Sequence, residues 1–145
     1  MNDPIFYLLM QLICSWMMIG IIWFMQLVHY PLYAKIKEGF IEYEKSQIRR
    51  VSFLVGPIML IEAITSIVLV GVAPTGIQTK LAALSLIILI FIWISTLLFL
   101  MGQHQKLSIR FSKKILHVLI ISNWIRAILW TIKGLLIIFM IYTPF

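Results

Sequence analysis

Asn123, Arg126, Trp130 and Lys133 recur at i, i+3, i+7 and i+10. That spacing puts all four on one face of an α-helix. They lie inside an apolar run of residues 115–141, long enough to cross a bilayer. A cation in hydrocarbon costs about 2.5–3.5 kcal/mol even on a lenient insertion scale. Arg126 therefore requires a partner, and Glu62 is the only acidic residue inside any apolar run. Counted from span starts at residues 51 and 115, each lies eleven residues in. The rise of the helix then puts both roughly 16 Å deep, near the midplane. A carboxylate and a guanidinium at one depth on inward faces are expected to pair. Such a pair can pin helix registry, or serve as a buried anion site or proton relay, and Asn123 can complete either. Lys133 is near enough to the opposite surface to snorkel. Trp124 and Trp130 flank Arg126; Trp130 can stack on the cation or on a planar ligand, or simply pack between helices.

A second constellation gathers where the first, second and third apolar runs meet their charged flanks. It comprises His29, Tyr43, Glu44, Gln47, Arg50 and His104, and Gln26 in the first span is a further candidate ligand-binding residue. Two histidines from different spans with one carboxylate suit a metal ion or haem iron, with His29, His104 and Glu44 as ligands, or a proton transfer. The plainer reading makes each histidine an interfacial residue, since no HxxxH repeat is present. His29, His104, Glu62 and Arg126 are the candidates for catalysis. His117 falls opposite Arg126. No phosphate loop, nucleophile elbow, metalloprotease motif or covalent haem signature occurs.

These side chains need a membrane scaffold to position them. The 145 residues are 62% hydrophobic and only 12% charged, a composition that excludes an ordinary soluble domain. Spans of about 5–28, 51–72, 81–101 and 115–141 fill the chain and predict an all-α four-helix transmembrane bundle forming one domain, 1–145. In the first span Gln11, Ser15, Ile22, Gln26 and His29 fall on one face, which should look into the bundle. Pro31 is expected to end or kink that span, with Tyr30 and Tyr33 at the headgroup level. An amphipathic segment of about residues 40–50, with Phe40, Tyr43, Gln47, Arg50 and Leu54 on one face, should continue directly into the second span. Pro57 should kink that rod a turn before Glu62. Ala73-Pro74-Thr75-Gly76 reads as a turn. The third span puts Ser85, Ile92, Thr96 and Gln103 on one face. The fourth ends at Tyr142-Thr143-Pro144-Phe145.

The net charge of +7 does not point to nucleic acid, because the basic residues flank the apolar runs as orientation signals do. The first loop carries five Lys/Arg and the third four, whereas the second loop and both tails together carry Lys80 alone. That asymmetry predicts loops 1 and 3 in the cytoplasm of a bacterial inner membrane and both termini outside. Met1-Asn2-Asp3-Pro4 lacks a basic n-region, so the first span is expected to stay uncleaved. Cys14, the single cysteine, reads as a small buried apolar residue.

Several strings carry a family likeness: residues 23–33 around His29-Tyr30-Pro31-Leu32-Tyr33, Tyr43-Glu44 with Arg49-Arg50, residues 57–62 ending in Glu62, His104 with Leu107, and Asn123-Trp124-Ile125-Arg126 with Trp130. Over nearly its whole length the chain resembles a family of small bacterial four-span membrane proteins with no assigned activity. The resemblance implies the four-span fold and no reaction. That family commonly carries a histidine where this chain has Gln47, and glutamine is a poor ligand for most transition metals.

Three functions fit the sequence: binding of a small ligand or partner helix within the membrane; an enzyme acting on a lipid-soluble substrate, with histidine as acid/base or as ligand to haem or metal; and a small transporter, which would work as a homodimer because one bundle has little room for a pore.

Overall fold

The computed structural model describes residues 3–74 and 76–143. Met1, Asn2, Thr75, Pro144 and Phe145 lie outside them, and with them parts of the expected tails and turn. The chain forms four long helices: α1 (Pro4–Tyr33), α2 (Phe40–Val72), α3 (Ile77–Leu107) and α4 (Lys113–Tyr142). Each is long and apolar enough to cross a membrane, so this is a multi-pass membrane protein. There is no strand among the described residues. α1 packs on α2 and α4, and α3 packs on α2 and α4, which closes the bundle into a ring. The loops at 34–39 and 108–112 share one end, here the basic end.

Local chemistry sets the helix limits. Asp3 caps α1 through an Ile5 N–H···Oδ1 bond of 3.0 Å, with Pro4 in the first turn where no N–H is needed. Gly39, at φ +70°, makes the left-handed turn that starts α2. The expected rod from residue 40 into the second span is present as one helix of 33 residues, and Pro57 sits inside it without ending it.

α1 and α3 each carry one widened turn near the basic end. In α1 it spans Met25–His29, and the Tyr30 N–H reaches back to the Met25 carbonyl. In α3 it spans Thr96–Leu100, and the Met101 N–H reaches the Thr96 carbonyl. These i→i−5 bonds define π turns. Pro31 accounts for the first: it has no N–H to offer and its ring crowds the preceding turn, so the ladder slackens upstream and the helix continues past it. In α3 the hydroxyls of Ser95 and Thr96 donate to the Ile92 carbonyl at 2.9 and 2.7 Å and compete with the backbone ladder there.

One extra residue per turn rotates everything beyond it by about 100°. Gln11, Ser15, Ile22 and Gln26 are buried as the α1 periodicity requires. Past the π turn the inward positions become Tyr30 and Tyr33, which leaves His29 only half-buried. The tyrosines are therefore core residues, not the headgroup anchors expected. The same shift in α3 turns His104 and Leu107 inward, with Gln103 half-buried beside them. On α2 the inward residues are Phe40, Glu44 and Gln47, while Tyr43, Arg50 and Leu54 are exposed.

The apolar core has three layers. Tyr30, Tyr33, Phe40, Leu107 and Leu119 fill the basic end. Met18, Ile22, Met59, Ile92 and Trp130 fill the middle. Leu8, Leu69, Ala82 and Ile137 fill the far end.

Candidate functional site

Two polar clusters interrupt this core, and they differ in how completely they are satisfied. The deeper one is closed on itself. Lys133 Nζ donates to Glu62 Oε1 (2.8 Å), Gln11 Oε1 (2.7 Å) and Ser15 Oγ (2.9 Å). An ammonium has three protons, so each is used. Ser15 Oγ also donates to Glu62 Oε1 at 2.7 Å, and Trp130 Nε1 donates to Glu62 Oε2 at 3.2 Å. Gln11 Nε2 donates to the Glu62 carbonyl and to Thr65 Oγ1, both at 2.6 Å. Gln11, Glu62 and Lys133 have no exposed surface.

Two expectations fail here. Glu62 pairs with Lys133 and not with Arg126, and Lys133 is fully buried instead of snorkelling. The cause is axial register. Counted from where the helices begin, Glu62 is 22 residues along α2 and Lys133 is 20 along α4, whereas Arg126 is only 13 along. Charge patterning marks where an apolar run starts, but it does not align two rods that begin at different heights.

Arg126 therefore sits about two turns nearer the basic end, without a carboxylate partner among the described residues. Its Nη1 donates to Asn123 Oδ1 at 3.3 Å, and Asn123 Nδ2 donates to Gln26 Oε1 at 2.7 Å. The guanidinium carbon lies 5.2 Å from the centre of the Trp130 ring, within cation–π range. Asn123, Arg126 and Trp130 thus share the inward face assigned to them. Trp124 does not: it is partly exposed and packs edge-on against Trp23 at 5.5 Å.

Beside Arg126 lies a cavity of about 290 Å³. Met18, Ile22, Val55 and Met59 form apolar walls, and Tyr30, Gln47, Trp93, His104 and Arg126 bring the polar groups. Exposed Ser52, Leu97 and Met101 also line it, so it opens sideways between α2 and α3. Three of its lining residues carry buried atoms without a hydrogen-bond partner: Arg126 Nε, Trp93 Nε1 and Gln47 Oε1. Native cores leave few such atoms unpaired, and each calls for an explanation. A shallower recess at Tyr43, Ser46, Gln47, Arg50 and Val51 adjoins the cavity and shares Gln47 and Val51 with it.

His104 stands at the basic end of the cavity. Its Nδ1–H donates to Glu44 Oε1 at 2.6 Å, and Glu44 is fully buried. With Nδ1 as donor, neutral imidazole leaves Nε2 as acceptor, and the Tyr30 hydroxyl lies 3.4 Å from it. Glu44, His104 and Tyr30 so form a chain at the basic end of the cavity that Arg126 also lines. Both π turns serve it, one delivering Tyr30 and the other His104.

His29 is not hydrogen-bonded into this chain, though its ring lies 6.1 Å from that of Tyr30. It stacks on Tyr43 with ring centres 5.9 Å apart, and the Tyr43 hydroxyl lies 3.5 Å from its Nε2. Tyr33 meets it edge-on at 5.0 Å. The metal-ligand set His29, His104 and Glu44 is not assembled: among the described residues no three His, Cys, Asp or Glu side chains group to hold an ion. Sequence reading missed Tyr30 and Trp93 at the cavity, and in the closed network it missed the pairing of Lys133 with Glu62, although Lys133 stood on the face assigned to it. The inward periodicity of α1 did signal Gln11 and Ser15. Comparison of the chain with protein-family models, curated proteins and solved structures found no match.

Proposed function

We propose that this membrane protein binds a small lipid-soluble molecule in the side-opening cavity, with an oxygen acceptor of that molecule on Arg126. The observation that carries the reading is the Arg126 guanidinium: buried, unpaired with any carboxylate among the described residues, and unbonded at Nε beside an apolar cavity. A buried cation left like this is costly, and a ligand carboxylate or carbonyl would offset that cost. Trp93 Nε1 supplies a second donor, and Gln47 Oε1 supplies an acceptor for a ligand hydroxyl or N–H. The volume is just under the roughly 300–1,000 Å³ common for small-molecule sites. It suits a body of one or two rings or a short chain. The mouth between α2 and α3 gives entry from the bilayer, where such a molecule would partition. This reading sets the protein in a bacterial inner membrane with the basic end cytoplasmic, in keeping with the Lys/Arg asymmetry of the loops.

Native mass spectrometry of protein released from its own membrane tests the proposal. The wild type should carry a bound organic mass. Arg126→Leu should lose it, because the acceptor oxygen no longer has its donor. Gly56→Leu should lose it too, by filling the cavity. Gly56 lines the cavity, and a Cβ there meets nothing within 4 Å. Replacing a helical glycine also favours the helix, so this variant should fold. Bare wild-type protein, or a mass retained by both variants, would reject the proposal.

A further inference from the structure

We infer that the site is catalytic, with His104 as a general base that moves a proton next to the carbonyl of the molecule held on Arg126. This inference rests on the ligand reading above and adds a reaction and a substrate class to it: lipid-soluble enolisable carbonyl compounds. The His104–Glu44 pair is the starting observation. A fully buried carboxylate 2.6 Å from Nδ1 fixes the ring and its tautomer and stabilises the imidazolium that forms when Nε2 takes a proton. A structural pair could sit anywhere in the core. Here His104 lines the cavity, with Nε2 3.4 Å from the Tyr30 hydroxyl, and shares it with two unbonded donors, Arg126 Nε and Trp93 Nε1.

The step balances without a co-reactant. The Tyr30 hydroxyl turns away from His104 Nε2, whose freed lone pair removes a proton from the carbon beside the carbonyl. The C–H electron pair becomes a C=C bond, and the carbonyl π pair moves onto oxygen. The resulting enolate oxygen receives the Arg126 and Trp93 N–H donors. Nε2 then returns the proton to the same carbon, or to the far end of a conjugated system, which shifts a double bond. His104 is the catalytic residue. Glu44 is a positioning residue that acts through it.

The test uses full-length protein in lipid nanodiscs in deuterated buffer, with β-tetralone as probe. Mass spectrometry reads deuterium entering the probe, and native mass spectrometry reads its binding. The wild type should speed exchange about a hundredfold or more over empty nanodiscs, the usual contribution of a placed acid/base. His104→Asn should bind the probe and lose the exchange. Glu44→Gln should lose most of it while Glu44→Asp recovers part, a rescue that a role in packing alone would not give. If His104→Asn does not reach the membrane, the Glu44 pair gives the same reading. Binding without exchange would overturn this inference and leave the ligand reading standing. So would exchange undiminished in His104→Asn. A probe neither bound nor exchanged by a wild type that carries its own organic mass would overturn the assigned substrate class alone.

Discussion

Lys133 spends all three ammonium protons on Gln11, Ser15 and Glu62, and both Glu62 oxygens are occupied. Arg126 keeps a donor unused in the same helix, two turns away. The difference separates a structural network from a receptive one. Removing one member of a buried pair leaves an orphan charge, which costs about 3–5 kcal/mol, whereas removing both leaves none. Lys133→Met should therefore lower stability by about that much. Glu62→Leu with Lys133→Met should cost less than Lys133→Met alone, read by denaturant unfolding in detergent micelles. Equal losses would mean that the pair is not coupled. The inward face of Asn123, Arg126, Trp130 and Lys133 was legible in the spacing. Which cation meets Glu62 was not, because pairing depends on the relative height of two helices, and one-dimensional hydropathy does not encode height.

The helices follow the apolar runs, and the unbroken rod of α2 was legible from its pattern. The π turns were not. A scheme with 3.6 residues per turn carried past Met25 points inward at His29; the structure buries Tyr30 and Tyr33 instead. Pro31 was a visible cue for a disturbance, but the residue type alone does not choose between a widened turn and a break. Close helix approach also escapes hydropathy. Gly134 of α4 faces α1 so tightly that a Cβ there would come within 2.4 Å of Ile19 Cδ1 and 3.5 Å of Trp16 Nε1. The first contact is with the tip of a flexible side chain. Gly134→Ala should therefore fold and cost only about 1 kcal/mol, and Gly134→Leu should cost about 3 kcal/mol or fail to assemble, by the same unfolding assay. A Gly134→Leu protein as stable as wild type would contradict the α1–α4 packing.

For the whole molecule, composition made the four-helix bundle plain, and loop charge supplied an orientation that cysteine labelling can check. In a Cys14→Ala background, Lys37→Cys and Arg110→Cys should resist an impermeant maleimide in intact cells and react once the membrane is opened. Pro74→Cys should react in intact cells. The reverse pattern would invert the bundle. The cavity, in contrast, is a property of the assembled ring: three helices wall it, the fourth brings Arg126, and its lining residues are far apart in sequence. The claim that it holds an oxygen-bearing organic molecule is tested most directly by an experimental density map of protein purified without added ligand. Density between α2 and α3, within hydrogen-bond distance of Arg126 Nε, is the predicted result. A cavity closed by its own side chains, or filled by an acyl chain that makes no polar contact with Arg126, would contradict it.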